Sequence, residues 1–224
     1  MVFTPADRAE LQTAVNEWCE GTSPGSYNGD HISLWVTSLI TNMDDLFYGK
    51  VTFNDDISNW DVSNVTTMVQ MFRYATTFNK PLNSWDVSKV ENMSAMFNQA
   101  SVFNQPLDKW NTISVKVMQY MFKQAPAFNQ NIGSWNTATA TTMREMFYAA
   151  TAFNQPIRGW NTLSGPVVTN GYLDIFDGAT AFNTAYSNPT SNSAFFNQTF
   201  QPTTQPEGPV ELQTAVNEWC EGTT

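Results

Sequence analysis

A fixed 25-residue period in the aromatic residues is the feature that most constrains the fold of this chain. Tryptophan recurs at this interval six times without a slip, and two series of phenylalanines keep the same interval. The positions are Trp35, Trp60, Trp85, Trp110, Trp135 and Trp160, with Phe47, Phe72, Phe97, Phe122 and Phe147, and with Phe53, Phe78, Phe103, Phe128 and Phe153. A period of this length predicts stacked units, each of which buries its apolar face against its neighbours.

The apolar spacing changes within each unit. Val90, Met93, Met96, Phe97 and Ala100 have the spacing of one helix face, whereas Trp85 and Val87 lie two apart, as on a short strand. We therefore predict an α/β solenoid. It would be a right-handed stack of six strand–helix units of roughly 25 residues with one parallel sheet.

Two further series of residues are predicted to be structural. An asparagine follows the second phenylalanine of each unit, at Asn54, Asn79, Asn104, Asn129 and Asn154. Because buried polar groups need partners, we expect these side chains to hydrogen-bond the turns of their own and adjacent units. The tryptophans are expected in the core, since aromatic burial dominates core energetics, with a sugar-stacking platform as the alternative.

The chain divides into four regions. Residues 1–30 are predicted to form an N-terminal capping helix and loop, with the helix over 4–20, its N-cap at Thr4 and its end at Gly21. Residues 31–183 hold the repeats, and residues 184–209 a C-terminal cap and linker. Residues 210–224 are interpreted as the first helix of a following cassette.

The fourth region repeats the first. The stretch ELQTAVNEWCEGT occupies residues 10–22 and recurs unchanged at 211–223. We interpret this as a tandem array of cassettes; an engineered or assembly-driven copy is the alternative. The second helix is expected to dock on the end of the preceding cassette through an interface of Leu212, Val216, Trp219 and Cys220. The cysteines, Cys19 and Cys220, predict a free thiol or a bond between cassettes, or else small buried residues.

Composition excludes several functions. The net charge of −10 and the pI near 4.3 argue against nucleic acid, whose binding needs Lys and Arg on phosphate, and against anionic membrane surfaces. No apolar run is long enough for membrane insertion. The single histidine, His31, and the lack of a catalytic motif indicate neither an enzyme nor a cofactor.

Two sets of residues are candidate sites. Four carboxylates offer weak Ca²⁺ binding as an alternative to a solvated acidic face, namely Asp44, Asp45, Asp55 and Asp56. The variable strand positions are the predicted binding residues for a glycan or a surface protein, namely Asn59, Asn83, Ser84, Lys109, Ser134 and Arg158.

The repeated phrase resembles the BspA-like leucine-rich surface proteins, in the branch with the repeat WxxSxVxxMxxMFxxAxxFNQ. Here residues 60–83, 85–109, 110–134 and 135–159 carry it. The resemblance implies a leucine-rich-repeat-like solenoid on secreted or cell-surface proteins, and adhesion or interaction rather than catalysis. We therefore predict a structural or adhesive cassette of an extracellular or cell-surface protein, whose partners are neighbouring cassettes. A recognition module that binds glycan or protein on the sheet face is the alternative.

Overall fold

The computed structural model describes residues 2–22, 25–157, 160 and 174–185. It contains the helix α1 (Arg8–Glu20), a 3₁₀ helix over Ile32–Leu34 and the short helix α2 (Thr180–Ala185). Between the second and third of these, the described repeats consist of turns and extended links, and no strand occurs there. Arg158 and the predicted interface residues Leu212, Val216, Trp219 and Cys220 lie outside the described residues, as do residues 186–224 as a whole.

The prediction of an α/β solenoid with a parallel sheet is wrong, and the expected helix of each unit is replaced by overlapping turns. In residues 68–75 the N–H groups of Met71, Arg73 and Ala75 each bond the carbonyl three residues earlier, at 3.0–3.3 Å. We call this segment and its equivalents, 43–50, 93–100, 118–125 and 143–150, the turn ribbons.

Every second N–H group of each ribbon points to the next unit. In residues 68–75 the alternate donors are Met68, Gln70, Phe72 and Tyr74, and each lies 2.9 Å from its acceptor. The acceptors are the carbonyls of Asn92, Ser94, Met96 and Asn98 in the following unit. The ribbon therefore satisfies its backbone half within the unit and half between units, which meets the need to pair buried polar groups.

Spacing between units explains why no helix forms. The first phenylalanines of successive units stack with ring centroids 5.3 to 5.7 Å apart, whereas helices pack about 8–10 Å apart. An α-helix and the overlapping turns would produce the same apolar pattern. In the turns, as in a helix, the buried side chains lie on one face, namely Met68, Met71, Phe72 and Ala75. Left-handed φ angles at two ribbon positions, such as Gln70 (55°) and Tyr74 (62°), exclude an α-helix.

Turns also explain why no strand forms. One isolated parallel bridge joins each pair of neighbouring units, as between Asn42 and Thr67 or Thr67 and Asn92. Trp60 and Val62 are both buried, as alternation predicts. However, Trp60 N–H closes a turn on Ile57 and Val65 N–H closes another on Val62, so the extended segment between them is too short for a sheet.

Aromatic columns form the core. Phe47 and its equivalents stack nearly parallel, and the second phenylalanines form another column at 5.6 to 6.2 Å. Each of the six repeat tryptophans donates its indole N–H to a carbonyl earlier in the chain, as Trp110 does to the Leu82 carbonyl at 2.9 Å. The tryptophans of units 1 to 5 are at most 3% exposed. The prediction that they belong to the core is confirmed.

The structural role of the asparagine series is also confirmed. The Asn79 side chain accepts the backbone N–H of Asn104, and Asn104 accepts that of Asn129, both at 2.9 Å. The glutamine of the next unit adds a second donor, since Gln130 Nε2 lies 3.0 Å from Asn104 Oδ1. One amide side chain thus ties each turn to the next.

Helix α1 begins later than predicted, because Asp7 and not Thr4 is the N-cap. The Asp7 carboxylate accepts the N–H of Glu10 at 2.9 Å, and the Glu10 carboxylate accepts the N–H of Ala6 at 2.8 Å. This reciprocal arrangement is a capping box with acidic partners. The predicted end at Gly21 is confirmed, with a left-handed φ of 63°.

Helix α1 covers the open side of the first turn ribbon. Its buried face consists of Leu11, Ala14 and Val15. The Arg8 guanidinium donates to the carbonyl of Asp44, and Gln12 Nε2 donates to that of Leu46 at 3.0 Å. In later units the equivalent carbonyls accept N–H groups from the preceding ribbon. The helix therefore completes the hydrogen bonding of a unit that has no predecessor.

The asparagine series makes a stability prediction. Asn104→Ala should lower the free energy of unfolding by about 1–3 kcal/mol, because the N–H of Asn129 loses its acceptor inside the stack. The measurement is urea unfolding followed by circular dichroism. Asn59→Ala is the control, since Asn59 is exposed and should change stability by less than about 0.5 kcal/mol. Equal losses in the two variants would contradict the role of the series.

Candidate functional site

The predicted binding residues within the described ranges lie in one column, at the turn that precedes each tryptophan. Most of their polar groups are used between units. Asn83 Nδ2 donates to Asp108 at 2.8 Å and its Oδ1 accepts the N–H of Lys109 at 3.0 Å. The hydroxyls of Ser84 and Ser134 donate to carbonyls of the preceding unit, both at 2.9 Å. Of the predicted set within the described residues, the side chains of Asn59 and Lys109 have no such bond and are exposed.

The four candidate calcium carboxylates have different surroundings. Asp44 Oδ1 accepts from Thr67 Oγ1 at 2.6 Å and from the N–H of Val69 at 2.7 Å. Asp55 accepts the indole N–H of Trp18 at 2.8 Å, and Asp56 accepts the N–H of Ser58 at 2.9 Å. Asp45 is exposed. Within the described ranges, no three His, Cys, Asp or Glu residues meet in a geometry that could hold a metal ion.

The structure points to another surface, the outward side of the turn ribbons. The second, third, sixth and seventh residues of each ribbon lie between the buried positions, and we call the surface that they form the ribbon face. In 68–75 these residues are Val69, Gln70, Arg73 and Tyr74. It carries four of the seven tyrosines of the chain, Tyr48, Tyr74, Tyr120 and Tyr148. Tyrosine and arginine are the residue types that most often anchor binding surfaces.

Two aromatic–cationic clusters lie on the ribbon face. In units 1 and 2 the rings of Tyr48 and Tyr74 meet edge to face at 5.6 Å, and the Arg73 guanidinium lies 4.8 Å from the centroid of Tyr74. In units 4 and 5 the ammonium of Lys123 lies 5.3 Å from the Tyr120 centroid and 4.7 Å from that of Tyr148. Cations at these distances are attracted by the ring faces.

One carboxylate offsets part of the positive charge of the second cluster, and two buried polar atoms of the ribbon face have no hydrogen-bond partner. Glu145 pairs with Lys123 and with Arg144. Between the clusters Asn98 is only 6% exposed, and its Oδ1 has no hydrogen-bond partner in the described structure. Nε of Arg73, at the equivalent position one unit earlier, has none either. An unpaired buried polar atom costs about 1–3 kcal/mol, so the ribbon face carries a local energetic cost.

A groove of about 500 Å³ opens where α1 meets the ribbon face. It is lined by Gln12, Asn16, Asp45, Tyr48, Lys50 and Gln70. Partial burial, and next the nearby Asp44 carboxylate, raise the pKa of Asp45. The groove thus combines amides, one carboxylate and an aromatic ring, and it lies at the capped end of the stack.

Sequence reasoning missed these residues for a structural reason. It treated the variable positions of MxxMFxxA as the solvent side of a helix, where they would spread over an arc. The turn ribbon instead brings them to one side and stacks them unit on unit. Alignment of the units would have shown tyrosine at the sixth ribbon position in two units, at Tyr48 and Tyr148, and at other variable ribbon positions in two more, at Tyr74 and Tyr120.

Comparison with known proteins gives one family. Residues 13–122 and 85–190 match the model of the family described as "Mycoplasma protein of unknown function, DUF285". Together the two matches span well over half of the chain. This match does not confirm the resemblance to BspA-like leucine-rich proteins. No curated protein and no solved structure matches the chain.

Hydrogen bonds in the turns after Trp60 and Trp85 set the pKa of two carboxyls. The N–H groups of Ser63 and Ser88 each lie 3.0 Å from the side chains of Asp61 and Asp86. The hydrogen bonds from these serines, first from their side chains and then from their backbones, lower the pKa of both carboxyls.

Stability should consequently fall in acid. A lowered folded pKa gives stabilisation that is complete above the unfolded pKa of about 3.9 and is lost as pH falls through the folded value. Asn111 and Asn136 make the same turn in later units. The double variant Asp61→Asn/Asp86→Asn should therefore be less stable than the parent chain at pH 7 and should lose less stability between pH 7 and pH 3, by urea unfolding. An unchanged acid loss would refute this assignment.

Proposed function

We propose a structural or adhesive role for this chain, which belongs to the family described as "Mycoplasma protein of unknown function, DUF285". In this proposal the chain is one cassette of a larger protein. It would be one block of a tandem-repeat protein on the cell surface or outside the cell. In this role the block holds its shape and its distance between attachments, and it does not perform catalysis. Its first partners are neighbouring blocks of the same protein.

The continuous bonding through the stack is the observation that carries this proposal. Backbone bonds of the ribbons, indole N–H bonds and the asparagine series all join unit to unit, in the same register from the first unit to the fifth. Aromatic pairs contribute about 0.5–1.5 kcal/mol each beyond burial. Such a block resists local opening, because no unit is complete without its neighbours.

The repeated helix sequence supports a tandem arrangement. The residues of α1 that are copied make defined contacts with the first unit. Leu11 and Val15 are fully buried. The side chain of Gln12 donates to a ribbon carbonyl, and the indole N–H of Trp18 donates to Asp55. The same residue types recur in 211–223. We therefore propose that the copy caps a following block, as α1 caps this one. Docking of the copy on the preceding block, which the sequence predicts, falls on residues outside the described ranges and is the alternative that the substitutions below test.

Two further features concern the membrane and the single histidine. In the described part of the chain, no helix has both the length and the apolar character to cross a membrane. His31, the only histidine, bonds its own neighbour Ser33 at 2.8 Å and packs against Trp18. It is therefore engaged in the packing of the N-terminal cap.

Recognition by the column before each tryptophan is the weaker alternative. The sheet face on which it was expected does not exist, and Asn83, Ser84 and Ser134 use their polar groups within the stack. The ribbon face is the better surface for a partner.

Two matched substitutions test the tandem assignment. Leu11→Ala should lower the free energy of unfolding by about 2–5 kcal/mol, because Leu11 is fully buried on the inner face of α1. Leu212→Ala, at the copied position, should change it by less than about 0.5 kcal/mol, since the copy would serve a different block. Chemical unfolding of both full-length variants is the measurement. A comparable loss in Leu212→Ala would show that the copy docks on this block instead.

Surface labelling tests the location. Antibodies raised against the folded chain should bind intact cells that produce the natural protein. Binding should be lost after brief protease treatment of those cells, because an exposed block and its linkers are accessible. Labelling that appears only after the cells are permeabilised would overturn the extracellular assignment. An antibody to a cytosolic protein of the same cells is the control for leakage.

A further inference from the structure

We infer that the groove between α1 and the first two turn ribbons is a binding site for a neutral glycan. This goes beyond the structural role and stands on different residues. The site consists of Gln12 and Asn16 from α1, Asp45, Tyr48 and Lys50 from the first unit and Gln70 from the second. Two adjacent units and the cap therefore build it together.

Several groups in the groove are free to bind a ligand. Among the hydrogen bonds of the described structure, none involves the carboxylate of Asp45, the hydroxyl of Tyr48 or Nδ2 of Asn16. Gln70 accepts from Arg73 through Oε1, and its Nε2 is likewise without a partner. These groups offer one strong acceptor, two amide donors and one hydroxyl that can do either.

The chemistry of this set suits hydroxyl groups. A sugar hydroxyl both donates and accepts, so it can bridge an amide donor and a carboxylate acceptor on one wall. The ring of Tyr48, which leaves 44% of its side chain exposed, provides an apolar surface for the C–H face of a sugar. Ligand sites combine apolar contact with a few convergent polar groups in this way.

The same set disfavours other ligands. The ammonium of Lys50 is already paired with Glu20 at 3.4 Å, and the Arg73 guanidinium is engaged with the rings of Tyr48 and Tyr74. The carboxylate of Asp45 has no hydrogen-bond partner among the described residues and would repel an anion. With a net charge of −10, the chain as a whole also repels phosphates and acidic peptides. A purely apolar ligand would leave the Asp45 carboxylate and the amides unpaired at a cost.

The site continues along the ribbon face. Tyr74 of the second unit lies 5.6 Å from Tyr48 on the same face. A linear oligosaccharide that starts in the groove would pass over these residues. Longer glycans should therefore bind more tightly than the corresponding monosaccharides.

Binding is tested on the full chain with defined probes. The neutral probes are N-acetylchitotetraose, cellotetraose and mannotetraose, and a heparin-derived tetrasaccharide is the anionic probe. Saturation-transfer difference NMR at roughly millimolar ligand detects binding, and isothermal titration then measures the Kd of each hit. We expect at least one neutral tetrasaccharide to bind and the anionic probe not to bind. Binding of the anionic probe alone, or of none of the four, would overturn the proposal.

Variants locate the site. Tyr48→Ala should weaken binding of the neutral hit by about tenfold or more, as for an aromatic anchor. Tyr48→Phe keeps the ring and should stay within about threefold of the parent chain. Asn16→Ala removes one donor from a half-buried position of α1 and should weaken binding. It also removes an acceptor of Gln12 Nε2, at 3.3 Å, so a small loss of stability is expected beside it. Urea unfolding of each variant checks that the fold is intact.

A tyrosine outside the groove is the matched control. Tyr120→Ala removes a ring from the same ribbon face two units beyond Tyr74, so it should leave the binding of a tetrasaccharide unchanged. Asp45→Asn retains a residue type that tolerates the left-handed φ of 59° and removes only the charge. It should weaken binding less than Tyr48→Ala does. Equal affinity of Tyr48→Ala and the parent chain, or an equal loss in Tyr120→Ala, would refute the groove as the site.

Discussion

Hydrogen bonds from every second N–H of a turn ribbon to the next unit are the interaction on which the rest of this structure depends. They hold successive units at the spacing of stacked rings, 5.3 to 5.7 Å in the first phenylalanine column. Helices cannot pack at that distance. Alternate N–H groups of the ribbon therefore bond the carbonyl three residues earlier or a carbonyl of the next unit. The left-handed φ angles at the third and seventh ribbon positions, as at Gln70 and Tyr74, follow from this alternation. A stack built in this way has an unsatisfied end, which α1 closes with Arg8 and Gln12.

The same geometry creates the surface on which we place function. Two pairs of residues in each ribbon lie between the buried methionines and phenylalanines, and outside the third ribbon most of them are at least partly exposed. In this chain they hold tyrosines, cations and amides, and they include the under-bonded atoms of Arg73 and Asn98. The column before each tryptophan differs, because Asn83, Ser84 and Ser134 bond across units and cannot change independently. Stability and binding are thus assigned to different turns of one unit.

Prediction from sequence succeeded where the chemistry of a side chain allows one environment only, such as burial for an aromatic ring or a hydrogen-bond partner for a buried amide. An aromatic ring at a strict period must be buried, and Asn104 beside it must find a partner, so the core and the asparagine series could be inferred. It failed where two backbone structures share one pattern. Met68, Met71, Phe72 and Ala75 face inward in a helix and in overlapping turns alike, and only the distance between units separates the two. The groove lined by Gln12 and Gln70 could not be foreseen, because its walls come from segments far apart in the chain.

By itself the sequence determined the number and register of the units, the residues of the core and the helical cap, because periodicity and burial are properties of side chains. It also determined that 10–22 is copied at 211–223, whatever structure the copy adopts. The tertiary structure alone decided that the units are built of turns, that Asp7 begins α1 and that the tyrosines form one face. The physical reason is that half of the ribbon's hydrogen bonds lie between units. The conformation of one unit is therefore set by its neighbours as much as by its own residues.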